Sequence, residues 1–144
     1  MKFFFIPCLL LILTACERAP TTTPQHEPPP VILPESVRQI TPAEATQLIA
    51  STPDLILIDA RRVWEIQEQG RLPKAQNIDW LNGEDYVVKE VTKLDKTKPY
   101  LVFCAIGARS KLVLEKMVPL GFERLYWLKG GLNAWIADGR AVEK

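Results

Sequence analysis

The chain has 144 residues, with 18 Lys and Arg against 17 Asp and Glu and a 47% hydrophobic content, which fits one globular domain with length to spare and leaves two domains crowded. The formal charge is +1 and neither sign forms a long block, so nothing electrostatic points to a nucleic-acid partner. Four Trp argue for a packed core.

At the N-terminus, Lys2 precedes an unbroken apolar run over residues 3–13. This is the pattern of an export signal, and it falls short of the roughly 20 apolar residues that span a bilayer. The run ends in Leu13-Thr14-Ala15-Cys16, which resembles the lipobox of bacterial lipoproteins. The resemblance implies cleavage before Cys16 and acylation of its sulfur and new amino group, palmitate being a typical chain; the other reading is an ordinary secretory signal with a chance cysteine. Cys8 then leaves with the signal and lipid consumes the Cys16 thiol, so Cys104 is the one free thiol and no intramolecular disulfide can form, although an exported compartment favours them. Losing Lys2 leaves 17 basic against 17 acidic residues, so membrane attachment falls to the acyl chains. Glu17 follows Cys16 where some bacteria read Asp as an inner-membrane retention signal. The expected location is therefore the outer membrane, periplasmic face.

Residues 17–34 hold Pro20, Pro24, Pro28, Pro29, Pro30 and Pro34 with Thr21, Thr22 and Thr23 and no apolar periodicity, which reads as a semi-extended tether. In polyproline-like geometry it reaches about 50 Å. His26, the only histidine, lies there, which excludes a Cys-His dyad, a Ser-His-Asp triad and a His-bearing metal site from the folded part. The expected division is a signal peptide over 1–15, a lipidated cysteine and tether over 16–35, and a domain over 36–144.

Within the domain, Thr41, Pro42 and Glu44 form a capping-box pattern that opens a helix. "LILID" at 55–59 reads as a strand buried on both faces, "VWEIQEQG" at 63–70 as a short helix stopped by glycine, "AQNIDW" as a short strand and 83–92 as an amphipathic helix. "YLVFC" at 100–104 is a second buried strand. "SKLVLEKMVPLGF" is a helix ending near Pro119-Leu120-Gly121, "RLYWL" a last strand, "KGG" a turn and "LNAWIADG" a closing helix. Alternating strands and helices predict an α/β domain with a mainly parallel sheet of about five strands flanked by helices, in which ligands bind at the carboxyl ends of strands.

Cys104 stands at such an end, as the first residue of a short strand-to-helix loop. Loop N–H groups and the positive end of the next helix dipole form an anion cradle, Gly107 permits backbone angles that side chains forbid, and Arg109 adds a permanent cation. Together they stabilise a thiolate, the nucleophilic form; the competing reading is a buried structural cysteine acting as a small hydrophobe.

"CAIGAR", Cys104 to Arg109, followed by Ser110, resembles the Cys-Arg-x-Gly-x-Arg-Ser/Thr loop of rhodanese domains. Three further segments agree in order. "LIDARRVWEI" contains Asp59, Ala60, Arg61 and Glu65; "GRLPKAQNI" resembles Gly-His-Ile-Pro-Gly-Ala-x-Asn; and "LKGGLNAW" resembles Gly-Gly-x-x-x-Trp, with Gly130, Gly131 and Trp135 as turn and core residues.

The resemblance implies a rhodanese-type thiosulfate sulfurtransferase. The Cys104 thiolate takes the outer sulfur of a small anionic donor such as thiosulfate, and the persulfide rests in the loop formed by Ala105, Ile106, Gly107, Ala108 and Ser110. Cyanide or a thiol then removes it, with no metal or organic cofactor. Arg109 holds the donor's anionic end or stabilises the loop, and Asp59 and Arg61 serve as ion-paired scaffolding or as substrate contacts.

Three positions depart from the family pattern. Ala105 replaces an Arg, removing a cation from the mouth, and Arg71 and Lys74 replace a His and a Gly, two cationic changes that either partly restore positive potential near the site or belong to solvated surface. Two alternatives stand beside the transferase. One is a sulfur carrier or partner-binding module with weak or no turnover, for which the missing Arg leaves room and against which the retained Cys104 argues. The other is a phosphatase of the same fold, whose Cys-x5-Arg loop is one residue longer than the Cys-x4-Arg present here.

Overall fold

The structure is a computed structural model that describes residues 33–144. The expected signal segment, Cys16, His26 and the Pro-rich stretch to residue 32 lie outside the described residues.

Thr41 caps α1 (Pro42–Ser51) as its sequence predicts. The Glu44 N–H donates to Thr41 Oγ1 at 3.3 Å and the Thr41 N–H donates to Glu44 Oε2 at 2.8 Å, satisfying donors that a helix's first turn leaves unpaired. Five strands follow one direction: β1 (Val37–Ile40), β2 (Ile56–Asp59), β3 (Gln76–Asn77), β4 (Pro99–Phe103) and β5 (Arg124–Leu128). They pair in the order β1-β5-β4-β2-β3, every pair parallel. Between the strands run α2 (Val63–Gln69), α3 (Glu84–Thr92), α4 (Ala108–Met117), two short 3-10 turns at Trp80–Asn82 and Val118–Leu120, and the closing α5 (Gly131–Ala137). The expected single α/β domain with a parallel five-stranded sheet is what the chain forms.

β4 is central, and all five of its residues are buried. Its side chains alternate as a pleated strand requires. Tyr100, Val102 and Cys104 join one core with Val87 and Val91 of α3 and Val113, Leu114 and Met117 of α4. Leu101 and Phe103 join the other with Ala45 of α1 and Leu132 and Trp135 of α5.

Four assignments differ from the sequence expectation. The "AQNIDW" strand shortens to Gln76–Asn77, because Asp79 caps a 3-10 turn that already includes Trp80. β1 was not among the predicted strands; only Val37 and Ile40 are buried in it, and its pairing with β5 makes it a strand. β4 stops at Phe103, so Cys104 is the first residue beyond the sheet. α4 starts at Ala108, two residues earlier than "SKLVLEKM" implies, because Gly107 at φ 109° turns the chain directly into the helix.

The connection from β2 runs outward to β3, whereas that from β4 runs the other way to β5. The carboxyl ends of β2 and β4 therefore flank a topological switch point, where α/β sheets open a crevice. Arg61 follows one of these strands and Cys104 the other.

Candidate active site

The loop between β4 and α4 is held from behind by α5. The Leu132 N–H donates to Cys104 O at 2.8 Å and the Asn133 N–H to Ala105 O at 3.0 Å, so first-turn donors of α5 take the loop's carbonyls. This approach needs Gly131, since a Cβ there would lie 2.7 Å from Ala105 O. The "KGG" turn thus presses the thiol-bearing loop into place.

Cys104 is 1% exposed, recessed at the base of the loop. Its Sγ accepts from the Gly107 N–H at 3.1 Å and lies 3.6 Å from the Ser110 hydroxyl. The amides of Ala108, Arg109 and Ser110 open α4 and are, by helix geometry, without intrahelical acceptors; their dipoles favour negative charge at this end. Ala105 is half-buried, Ala108 is exposed and Ile106 stands 64% exposed at the loop's outer edge.

Beneath the loop lies the indole of Trp127 on β5. A Cβ on Gly107 would run into Trp127 Cζ2, so glycine is required there by packing as well as by its φ. The Trp127 N–H donates to Gly107 O at 3.1 Å and to Ser110 Oγ at 3.0 Å.

Arg109 is committed to one partner. Its Nη1 and Nη2 donate to the two carboxylate oxygens of Glu65 on α2 at 2.6 and 2.7 Å, the bidentate geometry that suits a guanidinium best. The Arg109 hydrogen bonds hold the Glu65 carboxyl below its ordinary value, and Glu65 in turn holds the guanidinium above its own, with Cys104 contributing in the same direction. The cation therefore borders the sulfur while being oriented by Glu65.

Asp59 and Arg61 form a fully buried ion pair at 2.7 Å. The Arg61 guanidinium also donates to Gly70 O at 2.7 Å and Gln69 Oε1 at 3.1 Å, and every buried side-chain N and O among the described residues has a partner. Burial pushes the Asp59 carboxyl up and the Arg61 hydrogen bonds oppose it. Asn77 ties the same corner together, donating to Asp59 O at 2.9 Å and Arg61 O at 2.7 Å. Of the two roles expected for Asp59 and Arg61, these contacts are those of scaffolding.

Arg71 and Lys74 face the C-terminal segment. Arg71 pairs with Glu143 at 3.3 Å, and the Lys74 N–H donates to the same carboxylate at 3.0 Å. Lys74 has φ 62°, the only positive φ outside glycine among the described residues, which gives a physical reason for a glycine at that position.

Nothing in the sequence marks Trp127 as part of the site, and Glu65 stands out only through its match to a motif. For Glu65 a signal was present, its fixed distance from the Asp-Ala-Arg segment. For Trp127 there was none, because only the β4–β5 register brings it under the loop.

A family model described as Rhodanese-like domain matches residues 41–138. Among curated proteins, the thiosulfate sulfurtransferase GlpE of Coxiella burnetii is 31% identical over 100 residues, covering 69% of this chain and 88% of its own. A sulfurtransferase of Allochromatium vinosum is 28% identical over 106 residues, covering 74% and 94%. Among solved structures, the polysulfide-sulfur transferase homodimer of Wolinella succinogenes superposes with a TM-score of 0.63 at 26% identity, covering 75% of this chain and 79% of that one. A rhodanese-related protein of Thermoplasma volcanium does so at 0.59 and 26%, covering 74% and 97%.

Proposed function

This chain belongs to the rhodanese-like domain family, and from that premise we propose that it transfers sulfane sulfur through a persulfide on Cys104. The observation that carries the proposal is the Gly107 N–H donating to Cys104 Sγ at 3.1 Å at the N-terminal end of α4, since a backbone donor and a helix dipole together favour an anionic sulfur. Relatives named thiosulfate sulfurtransferase and sulfurtransferase support the reaction class.

In the proposed cycle the Cys104 thiolate attacks the outer sulfur of thiosulfate. The new S–S bond forms as the old one breaks, and sulfite leaves with the bonding electron pair. The persulfide's terminal sulfur carries the negative charge, within reach of the Gly107 N–H, the first-turn amides of α4 and the Ser110 hydroxyl. Cyanide or a thiolate then takes that sulfur and returns the thiolate. Asp59, Arg61 and Asn77 keep the end of β2 in place, and Glu65 aims Arg109.

A second reading, a carrier with weak turnover on thiosulfate, is favoured by one observation. Ala105 supplies no cation and Arg109 is already paired with Glu65, so little free positive charge meets a dianion. Thiocyanate formation from thiosulfate and cyanide, set beside sulfur loading from a low-molecular-weight persulfide, separates the two. Turnover with both donors supports the transferase, loading from the persulfide alone supports the carrier, and no loading from either refutes both.

The same proposal extends to an exported domain held at a membrane through lipid on Cys16, supported by the signal-like run and the Leu-Thr-Ala-Cys segment. In bacteria fed a labelled fatty acid, full-length protein should carry the label and Cys16→Ala should not. Equal labelling of both would reject the anchor.

A further inference from the structure

Gly107 O receives three donors: the Lys111 N–H at 3.1 Å, the Ser110 hydroxyl at 2.9 Å and the Trp127 indole N–H at 3.1 Å. A carbonyl oxygen has two lone pairs, so one donor is surplus. The Lys111 N–H is fixed by the first helical bond of α4, and the Trp127 N–H by a ring that is 3% exposed. Ser110 Oγ–H alone can turn, and its other acceptor within reach is Cys104 Sγ at 3.6 Å.

We propose that Trp127 is a positioning residue of the sulfur site, whose indole N–H replaces the Ser110 hydroxyl on Gly107 O and so releases that hydroxyl proton to an anionic Cys104 sulfur. Two arrangements share one heavy-atom geometry. With a neutral thiol, Ser110 donates to Gly107 O while Trp127 donates to Ser110 Oγ at 3.0 Å. With a thiolate, Ser110 donates to the sulfur and Trp127 to Gly107 O. No buried polar group loses its partner in either state, which keeps the exchange inexpensive in a dry interior.

The charged groups bordering the sulfur are Arg109 of α4 with its Glu65 partner on α2, and behind them the mutually neutralising Asp59 and Arg61. Trp127 adds no charge, so its effect must run through Ser110. The inference rests on Cys104 acting as an anionic sulfur nucleophile, as proposed above, and needs no particular donor.

Trp127→Phe keeps an apolar ring under Gly107 and removes the N–H. At neutral pH, Cys104 of this variant should be alkylated by iodoacetamide about 3–10-fold more slowly than in the parent, its pH profile moving up by about half a unit to one unit, the scale of one net intramolecular hydrogen bond. In a Ser110→Ala background the same substitution should change neither quantity. Equal alkylation of parent and Phe variant, or an equally large effect without Ser110, would overturn the proposal. If the Phe variant fails to fold, benzothienylalanine at 127, matching the indole in shape but lacking its N–H, is read by the same criteria. Because alkylation requires no sulfur donor, a protein that never accepts sulfane sulfur would still report this coupling, so the two proposals fail independently.

Discussion

Arg109 and Glu65, 44 positions apart in the chain, meet through two short hydrogen bonds, Nη1 to Oε2 at 2.6 Å and Nη2 to Oε1 at 2.7 Å. The pair joins the first turns of α4 and α2 and so bridges the loops that leave the two strands at the switch point. Replacing Glu65 with Gln should cost about 1 kcal/mol, the scale for a well-oriented, partly exposed pair. The pH dependence has a definite sign. Arg109 holds the folded Glu65 carboxyl below its ordinary value, so the pair's contribution is present above the unfolded glutamate value, about 4.3, and is lost as pH falls through the lower folded value. Urea midpoints of parent and Glu65→Gln should differ at pH 7 and converge in strong acid; a constant gap would contradict this.

Ala105 is where the loop has lost a cation. Ala105→Arg should restore one at the half-buried position beside the sulfur and lower the KM for thiosulfate about 3–10-fold at low ionic strength, with the gain shrinking in about 0.5 M salt as charges are screened. A salt-independent gain, or none, would mean that positive charge at the mouth does not limit donor binding.

Lys74 carries a left-handed backbone at an exposed position whose N–H bonds to Glu143. Lys74→Gly should keep that bond and relieve the strain. The net gain is expected to be about 0.5–1 kcal/mol, because glycine also adds unfolded-state entropy. A raised thermal midpoint with unchanged sulfur loading is the expected result.

Gly107→Ala should act in the opposite direction. The new methyl meets both a positive φ and the Trp127 ring, for a combined cost of about 3 kcal/mol. It would also displace the N–H that reaches Cys104, so both the thermal midpoint and alkylation of Cys104 should fall.

Much of the architecture was legible because the signals were local. The Thr41–Glu44 capping box, the continuous apolar run of β4 and the "RLYWL" strand each declare themselves within a few residues. β1 did not, because Arg38 and Gln39 interrupt its apolar pattern and its identity comes from pairing with β5, nearly ninety positions later. The same division runs through the site. Cys104, Gly107, Arg109 and Ser110 fall within seven consecutive residues and their chemistry could be read together. The partners that orient them, Glu65 and Trp127, arrive from other elements through sheet register and helix placement. The Asp59–Arg61 contacts turn on a similar point, since only folding shows that Arg61 spends its donors on Asp59, Gln69 and Gly70.

The central claim is that Cys104 carries sulfur, and the intact mass of the domain tests it most directly. Incubated with thiosulfate or a low-molecular-weight persulfide, the protein should gain the mass of one sulfur atom and lose it on addition of cyanide. Cys104→Ser, folded with a thermal midpoint near the parent's, should gain nothing. A parent protein that gains no sulfur from any sulfane donor, or a Cys104→Ser variant that gains as much, would contradict the account.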